Sequence, residues 1–159
     1  MSGFTSAAGV SVKQTTDTQQ APLGFELVVP DGNNGLKTYV YMKAFAPISI
    51  SQMVTGTAAS GTPYVGAGAA AVATNPVNVL GVAEVAIPAN YYGFVCKSGI
   101  VTAVGDGTVA AGEPVVLSAA IGAMLAGLSG AGADTTSAVG VALTGDGGAP
   151  ADISVLLKL

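Results

Sequence analysis

Residues 79–117 consist of short apolar runs separated by turn residues, and this pattern constrains the fold more than any other feature. From residue 79 to residue 87 the apolar side chains recur at every second position, and Pro88, Asn90, Gly99 and Gly107 interrupt the runs that follow. A period of two places side chains on alternate faces of a strand, whereas a helix needs a period of about 3.6. The stretch therefore predicts short antiparallel strands, with turns at 88–90, at Ser98-Gly99 and at Asp106-Gly107.

The C-terminal residues 138–159 repeat the opening of this stretch in a shorter form. Both segments begin with an apolar residue followed by Gly-Val-Ala, at Gly81 and at Gly140. Each then passes through a turn that contains a proline into a second apolar run. We interpret residues 79–99 and 138–159 as a pseudo-repeat, in which each unit is a hairpin or a pair of neighbouring strands.

The rest of the sequence also predicts short strands rather than long helices. Residues 25–29 and 36–45 are expected to form a hairpin across the Gly- and Asn-rich turn at 31–35. Residues 119–130 are compatible with a short helix or with a bent hairpin, and the glycines within them favour the hairpin. The pattern predicts an all-β domain, a compact β-barrel or β-sandwich of about nine short strands.

The length of the protein, 159 residues, is sufficient for one domain with its own core. We expect residues 21–159 to form that single β domain. Residues 1–20 are rich in Ser, Thr, Gln and Ala without a clear period. We therefore expect a flexible N-terminal arm, which is either a frayed terminus or a segment that becomes ordered on a partner.

The shortage of charge indicates a surface suited to protein contacts. Charged residues make up 9% of the sequence, against about 25% in ordinary soluble domains. Much of such a surface consists of small polar and apolar groups and tolerates contact with another protein. The basic residues are five scattered lysines, with no Arg or His and a net charge of −4. We expect no nucleic-acid partner, because neutralising phosphates requires clustered Lys or Arg.

Neither a secretion signal nor a membrane span is predicted. Residues 1–10 have no basic start and no apolar core. The apolar run at 115–128 is about 14 residues long and is interrupted by glycines, whereas crossing a bilayer takes about 20 residues. The single cysteine, Cys96, cannot form an internal disulfide, so no oxidising compartment is implied.

No set of residues in the sequence selects a catalytic mechanism or a cofactor. Histidine is absent, and Cys96 lies mid-strand among apolar residues, which suits a small buried side chain. Residues 66–73 match the spacing of a dinucleotide fingerprint, but Asn75-Pro76 would end the helix that this motif needs. We expect a protein that is not an enzyme and holds no cofactor. A pair of catalytic carboxylates stays open, because a sequence does not give their separation.

The Asp-Gly pairs at Asp31, Asp106 and Asp146 raise the question of calcium binding. None lies in the dense series of Asp and Asn residues that a calcium loop requires, and Asp-Gly is a common turn pair. We interpret the three pairs as turns and expect no metal.

One face of the predicted strand at 36–45 is unusually rich in aromatic and basic side chains. Lys37, Tyr39, Tyr41, Lys43 and Phe45 share this face. Tyrosine is enriched in contact surfaces because it brings both apolar area and a hydroxyl group. The alternative is a second buried face, with the lysines extending past the rings to solvent. Both interpretations stay open.

Several motifs follow one another in a set order through the second half of the sequence. Residues 80–99 are LGVAEVAIPANYYGFVCKSG, VAAGEPVVLS follows, and AVGVAL comes near the C-terminus. This order resembles the small capsid decoration, or cement, proteins of tailed bacteriophages. Their sequences have a Gly-Val-Ala strand, a Tyr/Gly/aromatic strand ending in Ser-Gly, an Ala-Gly-acid-Pro turn and a second Gly-Val-Ala strand. The match covers about half of the sequence, mainly residues 81–117 and 139–143.

The resemblance implies a β-rich virion protein, made in the host cytoplasm, that binds the outer surface of an assembled capsid and stabilises it. Its implied partners are the major capsid protein and further copies of itself, with a trimer favoured. Contacts with the capsid or another subunit are expected at Phe4, Lys13, Lys37, Tyr39, Tyr41, Lys43 and Phe45. The alternative is a receptor- or glycan-binding β-module of a viral fibre, although the absence of Trp weighs against a glycan platform.

Overall fold

The computed structural model describes residues 6–7, 10–56, 62–68, 79–118, 125–127 and 138–159. These residues form twelve strands and one short 3-10 turn at Gly32–Asn34. The strands are β1 (Ser6–Ala7), β2 (Val10–Ser11), β3 (Glu26–Pro30), β4 (Leu36–Ala44), β5 (Met53–Gly56), β6 (Val65–Gly68), β7 (Val79–Val82), β8 (Tyr92–Gly105), β9 (Pro114–Leu117), β10 (Leu125–Gly127), β11 (Gly140–Ala142) and β12 (Ala151–Lys158). The prediction of a compact all-β fold is confirmed. No helix among the described residues is long and apolar enough to cross a membrane.

Ten of the strands form one sheet, in the order β10-β9-β11-β12-β8-β7-β5-β6-β4-β3, and β1 pairs with β2 separately. Two further pairings, β4 with β8 and β10 with β8, close this sheet on itself twice. The first ring runs through β8, β7, β5, β6 and β4, and the second runs through β8, β12, β11, β9 and β10. The architecture is therefore that of two small barrels that share one strand.

The shared strand β8 is long enough to serve both rings. It has 14 residues, and its first part pairs with β4 while the part from Ser98 to Gly105 pairs with β12. Gly99 directly follows Ser98, the last residue of β8 that pairs with β4 and the first that pairs with β12, and it has a φ of 113°. A Cβ atom at Gly99 would lie 2.9 Å from the carbonyl oxygen of Leu36, so no other residue fits this position without displacement. Ser98-Gly99 is thus not the turn that the sequence predicted, but a change of partner within one continuous strand.

Two apolar cores lie on opposite faces of β4 and of the first part of β8. The smaller core lies within the first ring and includes Met42, Val54 and Val95. The larger core includes Tyr41 and Phe94 and continues into the second ring. Neighbouring side chains of a strand point to opposite faces, so alternate residues of β4 and of the first part of β8 enter different cores.

The two units of the predicted pseudo-repeat lie in different rings. β7 pairs with β8 in the first ring, and β11 pairs with β12 in the second. Each unit is a pair of neighbouring antiparallel strands, as expected. In both, the glycine of Gly-Val-Ala approaches the partner backbone closely: a Cβ atom at Gly81 would clash with the carbonyl of Cys96, and one at Gly140 with the carbonyl of Leu156. The same close approach explains the glycine at both places.

The remaining predictions for individual segments can be compared with the structure only where it describes the residues concerned. β3 and β4 form the expected hairpin across residues 31–35. β6 (Val65–Gly68) covers the first residues of the 66–73 segment that has the spacing of a dinucleotide fingerprint. β10 (Leu125–Gly127) lies within residues 119–130, for which a short helix and a bent hairpin were both open. The neighbouring residues 69–78, 119–124 and 128–137 lie outside the described residues.

Candidate functional site

The carboxylate of Glu84 brings together three of the side chains that the sequence proposed for contacts. The Lys37 ammonium nitrogen lies 2.8 Å from Oε1, and that of Lys13 lies 3.1 Å from Oε2. The Tyr39 hydroxyl donates a hydrogen bond of 2.6 Å to Oε2. Lys37 also forms an ion pair of 3.2 Å with Asp31. One carboxylate therefore joins the N-terminal segment, β4 and the turn that follows β7.

Burial and hydrogen bonding act in opposite directions on the ionisation of this cluster. Burial raises the pKa of Glu84, but hydrogen bonds from Lys37, Tyr39 and Lys13 outweigh burial and hold that pKa below its ordinary value. Burial lowers the pKa of Lys37, whereas the hydrogen bond and charge of Glu84 raise it to a net value above the ordinary one. The pKa of Tyr39 is raised, first by burial and then by Glu84. Near neutral pH the cluster is an ion-pair network in which both charged partners are stabilised.

The described part of the N-terminal segment packs against the domain. Val12 is 2% exposed and belongs to the larger core. Thr16 and Tyr92 exchange two backbone hydrogen bonds, of 3.0 and 2.8 Å. The backbone N–H of Gln20 donates to the Tyr41 hydroxyl at 3.0 Å. Residues 12–20 of the expected arm thus contact the domain, because one apolar side chain anchors a segment whose composition is otherwise polar. A flexible arm over residues 1–20 stays a prediction.

The tyrosines of the predicted aromatic face point into the protein. Tyr39 is 3% exposed and Tyr41 is fully buried. The ring of Tyr41 stacks on Tyr92 with centroids 6.2 Å apart and meets Phe94 at 5.0 Å, and the Lys43 ammonium lies 5.5 Å from the Tyr92 centroid. The alternative interpretation, a second buried face, therefore describes Tyr39 and Tyr41. Their rings are not available to a partner in this structure.

Apolar side chains do reach solvent in the loop that follows β4. Phe45 is 51% exposed and Ile50 is 60% exposed. Between them, Ile48 exchanges two backbone hydrogen bonds of 2.9 Å with Ile87. Phe45 and Ile50 are thus presented from a loop with an anchored backbone, which limits the entropy lost when a partner binds. Phe45 was predicted as a contact residue, and Phe4 lies outside the described residues.

A cleft of about 200 Å³ opens beside Glu84. It is lined by Lys13, Ile50, Ser51, Glu84 and Thr102. Ser51 has a φ of 65°, which is uncommon for a residue other than glycine and shows that the backbone is constrained here. The cleft combines one carboxylate, one ammonium group, two hydroxyls and an aliphatic side chain. This mixture suits non-covalent contact with a protein surface.

The thiol of Cys96 is buried, and burial favours its protonated form. The residue is fully buried, and its Sγ donates a hydrogen bond of 3.3 Å to the carbonyl of Ser98. Burial raises the pKa of this thiol to about 12, so it stays protonated near neutral pH. The prediction that Cys96 is a small buried side chain is confirmed.

Asp146 has the role of a turn residue. Its carboxylate is largely buried and accepts backbone hydrogen bonds from Gly107, Val109 and Gly148, of 2.8, 3.1 and 3.2 Å. Burial raises the pKa of Asp146, but these bonds hold it below its ordinary value. Among the residues that the structure describes, no group of three or more His, Cys, Asp or Glu residues could hold a metal ion.

Glu84 is the residue of this cluster that the sequence did not single out. It is the one charged residue between positions 80 and 96, within an otherwise apolar stretch. A carboxylate in such a place needs partners, and that signal could have identified it. Its closeness to Lys37 follows from the pairing of β4, β7 and β8, and its closeness to Lys13 follows from the packing of the N-terminal segment on the domain. Local patterns specify neither.

The comparisons with known proteins concern the fold. No protein-family model matches the sequence, and no curated protein matches it. Among solved structures, the protein is similar to the N base of the head fibre protein gp8.5 of bacteriophage phi29. The TM-score is 0.51 at 11% sequence identity, and the similarity covers 77% of this protein and 94% of the fibre base. At this identity the likeness shows a shared fold, which extends over nearly the whole of the fibre base.

Proposed function

We propose that this protein is a structural component of a bacteriophage head and binds the outer surface of the assembled capsid as a decoration, or cement, protein. The observation that carries the proposal is the fold likeness to a phage head fibre base, which covers 94% of that structure. The sequence resemblance to decoration proteins also supports a structural protein of a bacteriophage head. It rests on a different property, the order of the motifs around Gly81 and Gly140.

Such a protein acts by binding and not by catalysis. A protein that binds only the assembled capsid shifts the equilibrium toward the assembled state. A symmetric oligomer that engages several sites at once gains avidity without new contacts. We propose the major capsid protein as the partner, a homotrimer as the oligomer, and the outside of the virion as the location. The proposal includes no nucleic-acid, membrane or cofactor partner.

Within this proposal, the exposed residues of the loop after β4 form the capsid contact. Phe45 and Ile50 supply apolar area from an anchored backbone, and Lys13 lines the same cleft as Ile50. Replacing Phe45 and Ile50 by serine is expected to weaken capsid binding by about tenfold or more. The control is Leu143→Ser, which removes a side chain that is 45% exposed in the second ring. Equal loss of binding in both proteins would contradict this placement.

The test of the function itself is binding to undecorated heads. Purified protein is mixed with capsids that lack it, and bound protein is measured after sedimentation, together with the temperature at which the capsids disrupt. We expect saturable binding and a higher disruption temperature. Absence of binding to every capsid form, expanded and unexpanded, would overturn the proposal.

The fold likeness to a fibre base also favours a second candidate, a β-module of a viral fibre that binds a receptor or glycan. The two candidates differ in copy number. Quantitative mass spectrometry of purified virions measures the ratio of this protein to the major capsid protein. A ratio within a small factor of unity supports decoration, whereas a small minority of copies supports a fibre. A glycan array with clear hits would favour the fibre as well.

A further inference from the structure

The tip of the β3–β4 hairpin carries a reactive sequence that the proposed function does not use. Asn33, Asn34 and Gly35 follow one another there, and all three are exposed. In an Asn-Gly sequence, the backbone nitrogen of glycine can reach the side-chain amide of asparagine with little hindrance, because glycine has no Cβ atom. The structure shows where in the turn that nitrogen lies.

Gly35 directly follows a single 3-10 turn, Gly32–Asn34, at the tip of the hairpin. The carbonyl of Gly35 accepts a bond of 2.8 Å from the N–H of Asp31, and the N–H of Asn34 donates to the Asp31 carbonyl at 3.0 Å. Gly35 has a φ of 89°, and its N–H lies at the end of the 3-10 turn, outside the β3–β4 ladder. A Cβ atom built at Gly35 would meet nothing within 4 Å, so the position opens to solvent.

We propose that Asn34 is a site of spontaneous deamidation. The backbone nitrogen of Gly35 attacks the amide carbon of the Asn34 side group, forms a new bond to it and gives up its proton. The bond between that carbon and the amide nitrogen breaks, ammonia leaves, and a cyclic succinimide closes. Water then adds to either carbonyl of the ring and opens it to aspartate or isoaspartate. Water is the only co-reactant, and no oxidant or enzyme takes part.

The products change the charge of the hairpin tip. The amide nitrogen of Asn34 lies 3.4 Å from Asp31 Oδ2, and the same oxygen lies 3.2 Å from the Lys37 ammonium nitrogen. Deamidation replaces this donor by a carboxylate beside Asp31, and like charges at this spacing repel. Lys37 would then face a further carboxylate besides Asp31 and Glu84. The proposal does not depend on the proposed function, because it concerns only the chemistry of this turn.

The test is peptide mapping of the full-length folded protein after prolonged incubation at mildly alkaline pH. We expect the peptide that contains Asn34 to gain about one dalton and to separate into two products, of which one is labelled by an isoaspartyl methyltransferase. Asn33 is an internal control, because it shares the hairpin tip but is followed by asparagine. We expect it to react at least about tenfold more slowly.

Two further samples serve as controls for the deamidation experiment. Asn34→Gln retains an exposed amide but would require a larger ring, so we expect no mass change at this position. The wild-type protein in denaturant gives the deamidation rate of Asn34 when the folded turn is absent. Modification of Asn34 in denaturant but not in the folded protein would overturn the proposal, as would equal rates at Asn33 and Asn34.

Discussion

Glu84 is the residue on which the polar contacts of the first ring converge. Its side chain is 13% exposed, and a carboxylate withdrawn from water is costly unless its oxygens have partners. Lys37 is equally withdrawn at 13%, whereas Lys13 is 56% exposed and its ion pair is screened by solvent. Most of the stabilisation therefore comes from the pairing of Glu84 with Lys37 and Tyr39.

Replacing Glu84 by glutamine is expected to destabilise the protein by about 2 kcal/mol, because it leaves the withdrawn Lys37 with only Asp31 as its anionic partner. Urea unfolding monitored by circular dichroism measures the change. The control is Asp152→Asn, which alters an exposed carboxylate on β12 and should change stability by less than about 0.5 kcal/mol. Equal effects of the two substitutions would contradict a central role for Glu84.

The same carboxylate makes stability depend on pH in acid. Because the folded-state pKa of Glu84 lies below its ordinary value of 4.5, its contribution is fully present above that pH and is lost as the pH falls through the folded-state pKa. The difference in unfolding free energy between wild type and Glu84→Gln should therefore be constant near neutrality and shrink in acid. Urea titrations at a series of pH values measure it, and a difference that does not change with pH would refute this assignment.

At the scale of elements, the paired strands β7–β8 and β11–β12 depend on glycines at strand crossings. Gly140 is the better position for a test, because only a steric clash requires glycine there. A substitution at Gly81 would combine a clash with the strain of a positive φ of 149°. Gly140→Ala should destabilise the protein by about 3 kcal/mol, since its Cβ atom would clash with the carbonyl of Leu156. Thermal unfolding measures the loss. Gly32→Ala is the control, because its added Cβ atom meets open space and the positive φ costs only about 1 kcal/mol.

The N-terminal segment is held mainly by one apolar anchor and a few hydrogen bonds. Val12→Ala should cost about 2 kcal/mol, because the removed methyl groups leave a cavity in the larger core. Val28→Ala makes the same chemical change on β3 at a side chain that is 55% exposed, and should alter stability by less than about 0.5 kcal/mol. Denaturant unfolding compares the two. Indistinguishable effects would mean that the segment does not contribute to the core.

At the scale of the whole molecule, the sharing of β8 couples the two rings. Neither ring can lose β8 without opening the other, so we expect the domain to unfold in a single transition. The protein has five tyrosines and no Trp, and all five lie at residues 39–92, in or beside the first ring. Tyrosine fluorescence therefore reports on the first ring, while far-UV circular dichroism reports on both. We expect coincident midpoints, and separate midpoints would show that the rings unfold independently.

The sequence by itself determined the elements that depend on local chemistry. The alternation of apolar residues, the Gly- and Asn-rich turn at 31–35 and the absence of long helical periods were sufficient for the all-β class and the β3–β4 hairpin. Cys96 was also assigned correctly as a buried side chain, because its neighbours in the strand are apolar.

Only the tertiary structure decided which strands meet. The closure of the sheet on β8 joins segments far apart in the sequence and brings Lys37 to Glu84, while the packing of the N-terminal segment on the domain brings Lys13 to the same carboxylate. The closure also buries Tyr39 and Tyr41. The alternation of residues placed both tyrosines on one face of the strand, but it did not show whether that face meets solvent or a second core. The physical reason is that a period of two specifies the two faces of a strand, while the partner strands and packed layers decide what each face contacts.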